Sequence, residues 1–178
     1  LVMNFRVNAG FIPKDHWTQT EAGGGRIVGE MCHFVDLMQF FTDSKPIKVY
    51  ADCISTSNSQ IKSDDNISII VKFENGSIGN LTYVANADKS LAKEQLEVFG
   101  GGKAGIIEDF RSGTIYKDNK EEKLKLSGKG QKEGVKEFIK TLQEGKSAPI
   151  SFESLYLTTL TTLKIQDSLI TGQFQKVE

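Results

Sequence analysis

Cysteine, histidine and proline are scarce: the 178 residues contain two, two and three of them. Each shortage removes a class of protein. Cys32 and Cys53 cannot build a disulfide framework, so a reducing, cytoplasmic setting is expected. His16 and His33 are too few for a multi-histidine metal centre. No apolar run approaches the roughly 18 to 20 residues that a membrane-spanning helix needs. Charge of one sign is missing too, with Lys+Arg 22 against Asp+Glu 23 and a net charge of -1. Lacking basic blocks, the chain is not expected to bind nucleic acid or a membrane surface. The opening Leu1-Val2-Met3 has no initiator methionine, basic leader or cleavage pattern and starts inside a predicted strand. The expectation is one domain over 1–178, a fragment of a longer chain. Its 38% hydrophobic residues are enough to bury a core.

Periodicity supplies the elements. Residues 1–10 are predicted as a strand, followed by a polar loop from Phe11 to Gly25 that contains Pro13. From Arg26 to Thr42, Ile27, Met31, Phe34, Val35, Met38 and Phe41 recur at helical spacing. Lys45-Pro46 closes that helix, because proline cannot continue one. Strands are predicted at 47–56, Ile67–Phe73 and Ile78–Val84, with shorter ones at 94–99, 104–109, 112–117 and 122–127. Asn75-Gly76 is a strong hairpin signal, read as a type I′ turn with both residues at positive φ. A helix is predicted from about Gln131 to Glu144, ending at Gly145. Another covers Phe152–Gly172 and carries Leu155, Leu160, Leu163 and Leu169. Grouped strands and grouped helices predict an α+β fold. It is an open, mainly antiparallel sheet with helices on one face and the other face free to pair.

Gly100-Gly101-Gly102-Lys103-Ala104-Gly105 satisfies G-x-G-x-x-G to the letter, after a predicted strand. The dinucleotide fingerprint also needs a helix to open there, so that backbone amides meet the pyrophosphate. Another short strand follows instead, so the motif is read as a hairpin turn and no cofactor-binding residue is assigned. Gly23-Gly24-Gly25 does stand before a predicted helix. It either cradles an anion or sugar oxygen through its N–H groups or serves as a flexible entry loop. At 100° per residue, Arg26, Gly29, Glu30, His33 and Asp36 fall on one stripe opposite the apolar one. Histidine suits proton transfer near neutral pH, and a nearby carboxylate can orient it. The same residues would equally make a solvated polar face. A single Glu30-x-x-His33 is too little for a di-iron site, which takes two such motifs and further glutamates. No metal ligand is assigned.

The run Trp17-Thr18-Gln19-Thr20-Glu21-Ala22-Gly23-Gly24-Gly25-Arg26, continuing through Gly29, Glu30, His33 and Asp36, resembles a known family. It is the C-terminal domain of the glucose–fructose oxidoreductase / inositol dehydrogenase (Gfo/Idh/MocA) family. There a loop tryptophan, a triple glycine and Asp-x-x-x-His-x-x-Asp are typical. The resemblance implies a two-part enzyme, with NAD or NADP bound mainly by an N-terminal Rossmann domain absent from this sequence. The part present would bind a small sugar-like substrate and pair into a homo-oligomer through its open sheet face. His33 matches the family histidine that assists proton transfer at the substrate hydroxyl, and Asp36 the aspartate after it. The family's first aspartate falls on Gly29, with Glu30 one position later.

Arg6–Gly10 and Pro13–Trp17 resemble a branch fused behind a zinc alcohol dehydrogenase-like module, to which any zinc would belong. That branch implies Asn8, Lys14, His16 and Trp17 in the substrate loop. With Gly24, Gly25, Arg26 and Glu30 they form the expected substrate-binding set around His33 as catalytic group. The expected activity is oxidoreduction at a hydroxyl of a sugar, cyclitol or nucleotide sugar, with the isolated fragment inactive. The alternative is a non-catalytic carbohydrate-binding or dimerisation module that retains the fold. Gly29 favours that alternative, and His33 opposes it.

Overall fold

The computed structural model describes residues 1–178. β1 (Val2–Asn8) buries Met3, Phe5 and Val7, the period-two pattern of a strand covered on one face. A π-helical turn (Ile27–Met31) runs directly into α1 (Cys32–Thr42). The buried stripe of this helix is Ile27, Met31, Phe34, Val35 and Met38, as the spacing predicts. The strands β2 (Pro46–Cys53), β3 (Ile67–Phe73), β4 (Ile78–Val84), β5 (Glu94–Gly100), β6 (Lys103–Glu108), β7 (Ser112–Lys117) and β8 (Lys120–Lys125) follow. The chain closes with α2 (Gln131–Gln143), α3 (Phe152–Thr171) and β9 (Gln175–Lys176). No helix is long and apolar enough to cross a membrane.

The strands form one open nine-stranded sheet in the order β8-β7-β6-β5-β1-β4-β3-β2-β9. All pairings are antiparallel except β1 with β4. The first strand therefore lies mid-sheet, with Phe5 opposite Leu81 on one side and Leu96 on the other. α1 packs over this centre: the Phe34 ring lies 5.0 Å from Phe5 and 6.4 Å from Tyr83. Gly79 on β4 lets the helix approach, since a Cβ there would stand 2.5 Å from Met38 Sδ.

Two local expectations are corrected. At Asn75-Gly76 only Gly76 has positive φ, 88°, and its N–H donates to Phe73 O at 3.0 Å. The turn is type I closed by a glycine bulge. Asn75 is tied to the end of α1, its Nδ2 donating to Thr42 O at 2.9 Å, and stays out of the left-handed region. The paired positive φ values occur instead at Gly101-Gly102 (58° and 71°) and Asp118-Asn119 (54° and 57°), which link their strands by two residues.

α3 does not bury its leucines as a set. Leu155 and Leu163 are exposed, while Thr158, Thr161, Thr162, Ile165 and Ser168 face inward. Thr161 and Thr162 return their hydroxyls to Leu157 O and Thr158 O at 2.7 and 2.8 Å, which leaves their methyls to pack. Gln39 of α1 donates to Thr158 Oγ1, and Ser168 Oγ accepts from Ala51 N at 2.9 Å. A polar seam thus joins α3 to α1 and β2. In α2, Thr141 is the one buried residue.

Candidate active site

The loop after β1 contains a short 3₁₀ turn, Trp17–Gln19, capped by His16, whose Nδ1 accepts from Thr18 N at 3.4 Å. Gln19 anchors the turn, donating to Asp65 and accepting from Lys62 Nζ at 3.0 Å. The chain then passes so close to itself that a Cβ on Gly23 would lie 2.3 Å from Trp17 O. Gly24 and Gly25 both take φ of 72° and turn the backbone into the helix.

Between this loop, the helix, the β4–β5 link, the β6–β7 turn and the β8–α2 link opens a cleft of about 870 Å³, of the size that small-molecule sites have. Trp17, Gly25, Glu30, His33, Asp36 and Lys93 are among its lining residues. Arg26 and Gly29 line it as well, so the whole predicted stripe meets one cavity. Arg26 is 7% exposed and points inward. Its Nε donates to Tyr83 Oη, and Nη2 lies 3.3 Å from Glu30 Oε2 and 3.4 Å from Ala9 O. Tyr83 Oη donates to Glu30 Oε2, and Lys93 Nζ sits 3.0 Å from Oε1.

Burial raises the Glu30 pKa, but the hydrogen bonds from Tyr83 and Lys93 and the Lys93 and Arg26 charges outweigh it, and the carboxyl ends below its ordinary range. Tyr83 is pushed far up, by burial first and by the Glu30 carboxylate second. Glu30 is therefore a fixed anion and Tyr83 a fixed donor. Neither is suited to exchange protons near neutral pH.

His33 is exposed and lines the cleft, and no protein group hydrogen-bonds its imidazole. Cys32 beside it has its thiol pKa raised by burial, the opposite of what an activated nucleophile needs. Across the cleft Lys129 Nζ lies 2.7 Å from both oxygens of Glu94, whose side chain is 5% exposed.

Four members of the expected substrate set do not line this cleft: Asn8, Lys14, His16 and Gly24. Asn8 is buried, and its Nδ2 holds Asp88 O and Leu91 O at 2.7 and 3.2 Å. His16 serves as the turn's cap, Gly24 as a backbone bend, and Lys14 stands exposed on the loop. Arg26 lines the cavity with its guanidinium engaged by Tyr83, Glu30 and Ala9. Trp17, Gly25, Glu30 and His33 do share the cleft. Sequence reasoning missed Tyr83, Lys93, Glu94 and Lys129. Only the pairing of distant strands brings them to the helix, and no local motif marks them.

The glycine motif lacks the setting of a dinucleotide site. Gly100–Gly105 spans the β5–β6 hairpin, Gly101-Gly102 being its two-residue turn, and no helix opens there to present amides to a pyrophosphate. No three His, Cys, Asp or Glu side chains converge to hold a metal ion.

The family model described as the GFO/IDH/MocA C-terminal domain matches residues 2–105. The chain belongs to that family, one of oxidoreductases. No curated protein sequence matches it. Among solved structures it is similar to an NAD binding oxidoreductase from Klebsiella pneumoniae. The identity is 16% and the TM-score 0.81, covering 100% of this chain and 59% of that one. It is also similar to UDP-N-acetylglucosamine 3-dehydrogenase GnnA from Acidithiobacillus ferrooxidans, at 14% identity and a TM-score of 0.76. That likeness covers 94% of this chain and 53% of the other. A third is an oxidoreductase domain protein from Kribbella flavida, at 16% identity and a TM-score of 0.78, covering 99% and 59%. At such identities the likeness establishes the fold. The chain spans between 53% and 59% of these three proteins.

Proposed function

We propose that this chain is the substrate-binding part of a nicotinamide-dependent oxidoreductase that acts on a hydroxyl of a sugar, cyclitol or nucleotide sugar. The observation that carries the reading is His33, an imidazole in a cleft of substrate size with no protein partner of its own. A substrate hydroxyl within about 2.6–3.2 Å of a ring nitrogen would transfer its proton there. Trp17, 68% exposed, offers a flat apolar surface to the ring face of a pyranose or inositol. Membership of an oxidoreductase family and likeness to an NAD binding protein support nicotinamide chemistry. The dinucleotide, NAD or NADP, is assigned to another part of the enzyme, because Gly100–Gly105 here is a hairpin turn. This chain's own residues seat the substrate ring, orient the hydroxyl and take its proton.

The sheet face turned away from α1 and α3 exposes Val2, Ile70 and Phe99, and we assign it to pairing between copies. Sedimentation of a concentrated solution reads this pairing, and a strict monomer would remove it. A cytoplasmic site of action accords with two free cysteines. The full-length enzyme should turn over at least one member of a panel of hexoses, inositols and UDP-sugars with NAD or NADP, and the isolated chain none. Absence of turnover across the panel would return the reading to a non-catalytic carbohydrate-binding module.

A further inference from the structure

We propose that Lys93 is a substrate-binding residue and that the substrate carries an anionic group, carboxylate or phosphate, next to its hydroxyl-bearing ring. This rests on the cleft being the substrate site. Glu30, the residue that stands nearest the position of the missing family aspartate, is the wrong place to look for a substrate contact. Its Oε2 is engaged by Tyr83 and Arg26 and its Oε1 by Lys93. A carboxylate has about four acceptor sites, and three charged or polar donors already converge on this one. Its side chain is 22% exposed, whereas that of Lys93 is 49% exposed. Lys93 lines the cleft and uses one of its three N–H donors on Glu30, which leaves the others for a ligand.

Arg26, Glu30 and Lys93 together carry two positive charges against one negative. The group left to meet a ligand is the ammonium. The opposite rim supplies no competing free cation, because Lys129 is clamped by both oxygens of Glu94 and lies over the Phe110 ring. Asp36, the lining carboxylate without a bound cation, is six residues beyond Glu30, about 9 Å along a helix axis. The cleft is thus cationic at its Glu30 end, with His33 between that end and Asp36. An anionic substituent would lie at Lys93 while the ring's hydroxyls reach His33.

The backbone around Lys93 is held for this purpose. Asn8 Nδ2 fastens Asp88 O and Leu91 O, Arg6 Nη1 donates to Ala92 O at 2.9 Å, and Asn8 N donates to Lys93 O at 2.7 Å. Residues 88–93 are therefore pinned to β1, so little backbone freedom is lost when the ammonium meets a ligand. Asn8, expected to contact substrate, instead positions the residue that does.

Trp17 is the single tryptophan and lines the cleft, so its fluorescence reports binding without a label. The 178-residue chain is titrated with D-glucuronate, D-glucose 6-phosphate and D-glucose. At least one anionic sugar should half-saturate at about tenfold lower concentration than glucose, the effect of one charge-assisted hydrogen bond. Whichever of the two binds tighter identifies the group as carboxylate or phosphate. Lys93→Gln should erase the preference and Lys93→Arg should retain it, with urea midpoints showing that both variants are folded. Equal affinity for charged and neutral sugars, or a preference that survives in Lys93→Gln, overturns the role of Lys93 while leaving the cleft as the substrate site. No response to any sugar overturns the cleft reading and this inference with it.

Discussion

Alanine at His33 should lower kcat of the full-length enzyme by about 10²–10⁴-fold, the usual contribution of a positioned general acid or base. Stability should change by no more than about 0.5 kcal/mol, because the side chain is exposed and makes no hydrogen bond that its loss would leave open. The two readouts together separate chemistry from folding. Steady-state kinetics with the preferred sugar and urea unfolding of the same preparation give both. Turnover within about twofold of the parent would take His33 out of the mechanism, since a general base cannot contribute so little.

Glutamine at Glu30 should cost about 3 kcal/mol at pH 7, as when one partner of a buried ion pair is removed. Arg26, with a side chain 6% exposed, would keep its charge next to Tyr83 and lose the carboxylate that balances it. The pH dependence identifies the cause. Glu30 titrates below its ordinary value of 4.5 in the folded chain. Its stabilising contribution is therefore complete above the unfolded value and is lost as pH falls through the lower folded one. The gap between parent and variant should be widest at pH 7 and narrow toward about pH 3. Urea unfolding at the two pH values measures it. A gap of constant size would assign the loss to packing and not to charge.

These two residues stand one helical turn apart and differ in what surrounds them. Glu30 belongs to the scaffold: Tyr83 from β4, Lys93 from the β4–β5 link and Arg26 from the helix entry all close on it. His33 belongs to the cavity. A stripe of polar residues on a helix cannot distinguish these roles, because two of the three partners, Tyr83 and Lys93, lie more than fifty residues away.

Much of the architecture is legible in residue pattern. The spacing of Ile27, Met31, Phe34, Val35 and Met38 marks the buried side of the helix, and alternation marks Met3, Phe5 and Val7. The Gly100–Gly105 motif can be set aside because a strand, not a helix, follows it. Other features depend on distant contacts. The parallel pairing of β1 with β4 joins residues 76 positions apart, and neither strand records its neighbour. The type of the Asn75 turn is decided by its bond to Thr42 O on another element. In α3 Leu160 and Leu169 pack against the core as expected, but threonines whose hydroxyls are satisfied within the helix take inward positions that hydrophobicity does not mark. Arg26 is held inward by Tyr83, from a strand distant in sequence. For the same reason Lys93 and Lys129, which complete the cleft, lie outside any motif.

We propose the cleft at His33 as the substrate site, with the dinucleotide held elsewhere. Two-dimensional ¹H–¹⁵N NMR of the labelled chain tests it most directly, with myo-inositol, D-glucuronate and UDP-N-acetylglucosamine titrated in turn, and NADH titrated separately. At least one sugar should move the Trp17 indole N–H together with the Gly25, Gly29 and His33 amides, and NADH should leave Gly100–Gly105 unmoved. Sugar-induced shifts confined to the open sheet face, or saturable NADH shifts across Gly100–Gly105, would overturn that assignment.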